Sequence, residues 1–403
     1  MRGRYQRFWI LGIILASMSL FCLDSNFRRM KYSSRSEKDR TLMGERLWDL
    51  MRCVDLLLSL EDKVDRGRIG CTGLSLGGEM AMWLGAMDSR VSHEIHLPSL
   101  MKFFHKYLTM RNGPMKFEEN KEKGVLTVRD GEADVLTYRF GDQIKEGVDP
   151  QQTRSCYIHP LYSLDGQVLT DDFPKDHLHH HGVFWTWPIV KTRDQLTQTW
   201  HPHSPSLRQH FIRWLKREKK NDGAIISVEN VWKLEEREVV AEEIVTVHIH
   251  PADNTSRTID LELKIQAVGG SLTLQGTPEQ NKGYGGLSIR GAPMFTGASM
   301  STDRGILEED STNVPFRWAD LSTDDHGVAI FVSPDHPDFP ITWLIRNSYA
   351  GFINASWPGL EPAVIQPNES IILRYRIYIH KGNIISGGVH EAYKQYLSLF
   401  PKK

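Results

Sequence analysis

Cysteine, net charge and long apolar runs are all scarce in this 403-residue chain. Its four cysteines, Cys22, Cys53, Cys71 and Cys156, are scattered, with no C-x-x-C pair and no zinc-ligand spacing. That argues against a disulfide-stapled scaffold or a thiolate metal centre. Lysine and arginine total 49 against 50 acids, a formal charge of −1. Without a broad basic field to neutralise phosphates, a nucleic-acid partner is not expected. The short basic run Lys216-Arg217-Glu218-Lys219-Lys220, beside Asp222-Gly223, reads as a solvated turn flank. No internal repeat is present. What remains is an ordinary globular composition, 40% hydrophobic and 25% charged, long enough for two or three domains.

The one long apolar run lies at the start. Arg2, Arg4 and Arg7 precede Phe8 to Leu23, a positive region followed by a hydrophobic core of signal-peptide length. Residues 1–26 are expected to be a signal peptide or signal-anchor. The protein is then exported, periplasmic or extracellular, and residues 8–23 are its one route to a membrane.

From Ser36 to about Met87 the pattern is helical, with Leu47, Met51, Val54 and Leu58 on one face. Ile69-Gly70-Cys71-Thr72 is a short strand candidate, followed by Gly73-Leu74-Ser75-Leu76-Gly77 and a second helical stretch. A G-x-S-x-G sequence between strand and helix is the setting of a nucleophile elbow. Together with Val64-Asp65-Arg66-Gly67-Arg68 and Met87-Asp88-Ser89-Arg90-Val91, the stretch from Trp48 to Val91 resembles bacterial α/β-hydrolases of the acetyl-xylan-esterase and dienelactone-hydrolase type. The resemblance implies that Ser75 is the nucleophile. It covers about fifty residues and brings neither the preceding strands nor a distant triad acid and histidine, so residues 27–96 read as a truncated, inactive hydrolase remnant.

Residues 97–114 form a linker, and after Pro114 the chain becomes β-rich. Strands are expected at 117–118, 125–128, 135–140, 224–229, 243–250, 258–267, 271–274, 327–333 and 371–380, with one helix within 388–400. Many strands without helical crossovers predict a mainly β protein, a large antiparallel β-sandwich spanning 115–403.

The densest chemistry lies inside this region. In Thr170-Asp171-Asp172-Phe173-Pro174-Lys175-Asp176-His177-Leu178-His179-His180-His181, four of the 17 histidines fall within five positions. Imidazoles can ligate a metal, move protons near neutral pH, or bond hydroxyls. In an extended strand His177, His179 and His181 share one face, with His180 opposite, so a divalent metal at His177/His179/His181 is one reading. General acid/base or hydroxyl-binding use, through His180 and His181, is another, and a solvated His-rich loop is a third. Asp171 and Asp172 can fix the imidazole tautomers or make an Asx-turn. Trp185 and Trp187 share a face and serve either as sandwich core or as a platform for a sugar ring. His159, Arg290 and His336 are further candidates for binding substrate. His201 and His203, between prolines, read as loop residues, and His248 and His250, alternating on a strand, as one solvated sheet face or as ligands.

Tyr157-Ile158-His159-Pro160-Leu161-Tyr162-Ser163, the His177–Trp187 block, Lys282-Gly283-Tyr284-Gly285-Gly286 and Leu373-Arg374-Tyr375-Arg376-Ile377 together resemble a bacterial family of unknown function labelled methane oxygenase PmoA-like, over about 115–400. One apolar segment cannot supply several membrane spans, so methane oxidation is not carried over. The β-rich pattern and paired histidines are also similar to the aldose-1-epimerase (galactose-mutarotase) supersandwich proteins. That similarity implies a sugar ligand and makes Glu361 the expected late carboxylate base. The expectation is a carbohydrate-active or carbohydrate-binding domain using His180, His181, Asp172 and Glu361, with a small-molecule sugar partner. A serine esterase using Ser75 and a non-catalytic accessory module are the alternatives.

Overall fold

The computed structural model describes residues 42–59, 70–71, 84, 87–88, 90–91, 93–94, 114–220, 223–347 and 351–400. The chain divides into two units, 1–107 and 108–403. In the first, the expected apolar face forms the helix Leu42–Leu58, and Val54 packs with Leu84 and Val91. Gly70–Cys71 pairs in parallel with His93–Glu94. Arg90 binds both oxygens of Asp88, at 2.7 and 2.6 Å, and reaches Asp55 at 2.6 Å. Ser75, the rest of the elbow and residues 1–26 lie outside the described residues. Among the described residues no helix is long and apolar enough to cross a membrane.

The second unit is the mainly β, antiparallel sandwich its sequence predicts. One nine-stranded sheet runs, edge to edge, Leu207–Lys220, Gly223–Leu234, Glu238–Ile249, Ser256–Ala267, Ser370–Lys381, His326–Val332, Trp318–Ser322, Ser299–Thr302, Gly305–Leu307. The other runs Ser311–Pro315, Thr342–Arg346, Phe352–Ser356, Gly286–Arg290, Val183–Thr186, Tyr157–Leu161, Ala133–Arg139, Val125–Asp130, Met115–Asn120. A four-stranded sheet, Ala363–Ile365, Leu272–Gln275, Ile189–Thr192 and Gln195–Thr197, completes the unit. The helix Val389–Leu397 packs Val389, Tyr393 and Tyr396 onto Trp318, Phe331 and Tyr378 of the first sheet.

Strict alternation explains the first sheet. Ser256–Ala267 buries every second side chain and leaves the others half-exposed, as a strand with one solvated face must. The basic run 216–220 is not merely a turn flank. It is the exposed end of an edge strand, where lysines discourage pairing with another chain. The second sheet differs at its centre. Val183–Thr186 and Gly286–Arg290 are buried at every position. Their inward side chains Val183, Trp185, Leu287 and Ile289 join the inter-sheet core. Their outward side is covered by Phe184, Tyr157, Trp200, Leu344 and Phe352, a separate aromatic cluster. A strand buried on both faces needs something on its outer face, and here that cover is the histidine segment.

Trp185 and Trp187 are therefore core residues and not a sugar platform. Both are essentially inaccessible, and each indole N–H is used inside the protein. Trp185 Nε1 donates to Glu243 Oε2 at 3.0 Å, and Trp187 Nε1 donates to the Trp357 carbonyl at 2.8 Å. Glu243 is fully buried between the sheets and also accepts from Gln209, Trp232 and Asn230 at 2.9–3.0 Å. A lone carboxylate in such a core is tolerated only because donors surround it.

Candidate functional site

The histidine segment is not extended. Pro174 ends the approach, and His177 N donates to the Pro174 carbonyl and His180 N to the His177 carbonyl, at 3.1 and 2.9 Å, making two successive turns. The loop closes where Asp172 and His181 form an antiparallel bridge, with Phe173 N on the His180 carbonyl. Gly182 follows at φ +49°, and a Cβ there would lie 2.3 Å from the Ile158 carbonyl oxygen. Glycine lets the loop re-enter the sheet at this close approach.

This geometry overturns the one-face arrangement. His177 and His180 stack at 4.7 Å with rings 9° apart, and His180 stacks on Phe352 at 4.5 Å and 8°. His180 is thus a ring sandwiched between two others, held under the loop. His179 meets both His177 and His180 edge-on and lies 4.0 Å from His201, which is part of the cluster despite its proline-flanked loop. Arg290 anchors the loop from the strand beneath, with Nη2 2.9 and 2.8 Å from the two oxygens of Asp176 and Nη1 3.5 Å from His180 Nδ1. It holds a side chain of the loop and does not stand open as a substrate anchor.

His181 turns to the other side of the loop. Its Nδ1 lies 3.0 Å from Asp172 Oδ1, while Tyr157 donates its hydroxyl to Asp172 Oδ2 at 3.0 Å and Arg139 Nη1 stands 3.8 Å from the same oxygen. His159 is nearby, its Nδ1 3.0 Å from the Thr170 hydroxyl. Burial resists the charge on Asp172, but the His181 hydrogen bond and the nearby His181, His159 and Arg139 outweigh it and hold the carboxyl below its ordinary value. An ionised Asp172 accepts, so His181 Nδ1 carries the proton and Nε2 is the ring's remaining lone pair. Burial lowers the affinity of His181 for a second proton despite Asp172. His159 is pushed down to about 4 and His179 to about 2, burial being the first cause in both and neighbouring histidines the next for His179. These rings are neutral at pH 7 and act as hydrogen-bonding faces.

A cleft of about 630 Å³ opens at this point. His179, His181, Trp200 and His201 line one part of it, and Arg154, Arg208 and Glu236 are among the polar residues lining the rest. The volume suits a small molecule, and the lining is far more polar than a typical drug-like pocket. Trp200, packed 4.6 Å from Tyr284, is the aromatic residue that reaches the cleft, the place expected for Trp185 or Trp187.

Other expected site residues fall elsewhere. Asp171 accepts the amide of its neighbour Asp172 on a carboxylate oxygen at 2.8 Å, one residue short of the i+2 contact of an Asx-turn. Glu361 is exposed, in a turn after Trp357, and is not part of the cleft lining. His336 is buried, its Nδ1 donating to the Pro337 carbonyl at 2.7 Å and its Nε2 2.9 Å from Tyr375 Oη, a structural pin. Among the described residues, metal-donor atoms converge within 4.8 Å at His248, His250 and Asp260, not at His177, His179 and His181. There Asp260 already binds Arg376 through both oxygens, at 2.6 and 2.8 Å, so a cation would share its carboxylate with a guanidinium.

Asp176, Tyr157, Arg139, Arg154 and Trp200 were not singled out in sequence. Asp176 adjoins the histidines and Trp200 adjoins His201, which is a usable signal. Arg139 and Arg154 carried none.

A family model described as "Family of unknown function (DUF6807)" matches residues 109–394. No curated protein sequence matches the chain. Solved structures matched by the chain include a heparinase III gene product, with TM-score 0.33 and 9% identity over 71% of this chain, of which the chain spans 40%. A Klebsiella pneumoniae protein assigned as an aldose 1-epimerase gives TM-score 0.33 and 10% identity, over 70% of this chain and 86% of that one. A GalM/aldose epimerase homologue from C. elegans gives TM-score 0.29 and 9% identity, over 67% of this chain and all of that one.

Proposed function

The chain belongs to the DUF6807 family of unknown function, and we propose that its sandwich domain binds a sugar in the His179/His181/Trp200 cleft and moves a proton on it through the Asp172–His181 pair. The observation that carries this reading is the 3.0 Å contact between His181 Nδ1 and Asp172 Oδ1 at the edge of a polar cleft. Asp172 fixes the tautomer and stabilises the imidazolium once Nε2 has taken a proton from a sugar hydroxyl or an activated C–H. The same Nε2–H can then return the proton to a different atom, as epimerisation, elimination or hydrolysis each requires. His179 and His201 offer neutral ring nitrogens to hydroxyls, and Trp200 offers an apolar edge. Stacked between His177 and Phe352, His180 orients the loop.

Titration of the full chain with a panel of monosaccharides and their glycosides tests the reading. Saturable binding that is lost in His179→Ala, and turnover lost in His181→Gln with binding retained, support it. A panel in which no sugar binds removes the ligand assignment. Sugar binding with His181→Gln turning substrate over at the wild-type rate removes the dyad as the base.

A further inference from the structure

The cleft contains a cation that this proton transfer does not use. Arg154 lines the cleft and donates to neutral acceptors. Nη1 donates to the Thr199 carbonyl at 2.7 Å, and Nη2 donates to Gln209 Oε1 at 2.6 Å and to the Trp185 carbonyl at 3.5 Å. Nε is buried without an acceptor. Among the described residues no carboxylate lies within ion-pair distance of Arg154. Arg208, the other arginine of the cleft, is by contrast paired with Asp142 at 2.9 Å and Glu236 at 3.3 Å.

The guanidinium is held in place from behind. Gln209 Nε2 donates to the buried Glu243 at 3.0 Å, which leaves Gln209 Oε1 directed at Arg154. Trp185 and Trp232 fix the same Glu243 oxygen. A core network therefore holds the guanidinium at the cleft wall without neutralising it at contact range. A guanidinium stays protonated in proteins, so this desolvated charge is a standing cost that an incoming anion relieves. Burial, the largest influence on it, pushes Arg154 down to about 10, the direction expected of a cation short of counter-charge.

We infer that the ligand of this cleft carries a carboxylate and that Arg154 receives it. The inference rests on the sugar reading for the rest of the ligand, so the class is an acidic sugar such as a uronate. A monoanion fits better than a phosphate dianion. Glu235 and Glu236 also line the cleft, and Glu236 already occupies Arg208. Arg154 supplies one positive charge, which balances a single carboxylate, while the neutral His179 and His201 add no positive charge for a second negative one.

Calorimetric titration of the full chain with D-glucuronate and D-galacturonate, their neutral amides, glucose, galactose and glucose 6-phosphate tests it. Each acid is expected to bind about tenfold or more tighter than its own amide, with glucose 6-phosphate no tighter than the acids. Arg154→Gln should bring the acids down to the level of the amides. Equal affinity for acid and amide in the unmodified protein overturns the inference without relying on a variant that folds. Tighter binding of glucose 6-phosphate than of either uronate overturns the carboxylate assignment. If neutral sugars bind and a carboxylate adds nothing, this inference fails and the sugar reading stands. If benzoate binds in an Arg154-dependent way while no sugar does, the sugar reading fails and the role of Arg154 stands. If neither sugars nor carboxylates bind, both fall.

Discussion

Asp172 and His181 face each other across the bridge that closes the histidine loop, with Oδ1 and Nδ1 3.0 Å apart. Directly opposed residues of an antiparallel pair project to the same side. The eight residues between them can therefore turn freely, burying His180 and presenting His179, without disturbing the pair.

Removing the carboxylate separates the roles of this pair. Asp172→Ala leaves His181, the Tyr157 hydroxyl and Arg139 without their shared acceptor, and should cost about 3–5 kcal/mol, read as a lower urea midpoint. Asp172→Asn should stay folded but lose control of the tautomer. Nitrogen-15 shifts of the His181 ring should show Nδ1–H alone in the unmodified protein and a mixture in the variant. A single unchanged tautomer in Asp172→Asn contradicts the assignment.

The pH dependence of turnover follows from the same pair. His181 is active as the neutral base, and burial lowers its proton affinity while Asp172 stays ionised. Activity on any sugar the protein accepts should therefore be retained as pH falls through about 6.5, the ordinary histidine value, and be lost only at a lower pH. A rate that is halved at 6.5 or above speaks against His181 as that base.

Stability should fall with acid for a different histidine. His336 is neutral in the fold, pushed down to about 4 by burial, with Pro337 and Asp338 only partly opposing it. Below pH about 6.5 the unfolded chain takes up a proton that the folded chain refuses until about 4, so stability drops across that window and this contribution then levels off. The loss attributable to His336 is roughly 3 kcal/mol. Urea denaturation at several pH values should show a shallower acid dependence in His336→Gln than in the parent.

Glu243 is the most heavily used acceptor of the core, with four donors from Trp185, Gln209, Trp232 and Asn230. Glu243→Leu leaves all four buried without it, at about 1–3 kcal/mol for each group that finds no substitute. The variant should be severely destabilised in denaturant melts, and a near-neutral effect would show that the network is not needed for stability.

Gly182→Ala places a methyl 2.3 Å from the Ile158 carbonyl oxygen at φ +49°. The expected cost is at least about 1–3 kcal/mol from the backbone alone. The aromatic near-ultraviolet circular dichroism of the Tyr157–Phe184–Trp200 cluster should change with it. An unaltered spectrum and melting temperature would mean the loop has another way back into the sheet.

The sandwich was legible because its signal is local. Alternation along Ser256–Ala267 or Ser370–Lys381 states which side chains are buried, and turn residues mark where each strand stops. The histidine segment was legible as chemistry but not as geometry. Strand periodicity put His177, His179 and His181 together, whereas the turns after Pro174 pair His177 with His180 and send His181 to Asp172. Local hydrogen bonds within the loop outweighed an extended form that no neighbouring strand would have paired.

Composition and pattern alone thus determined an antiparallel β domain, a near-neutral surface and a His/Asp-rich segment within it. Only the tertiary structure decided what that segment faces. Arg290 meets Asp176 across 114 residues, Arg154 meets Gln209 across 55, and Trp185 turns inward to Glu243 across 58. Which of two tryptophan-bearing segments is core and which reaches the cleft depends on which sheet face is covered. That is settled by packing between strands distant in sequence, where no local spacing carries the information.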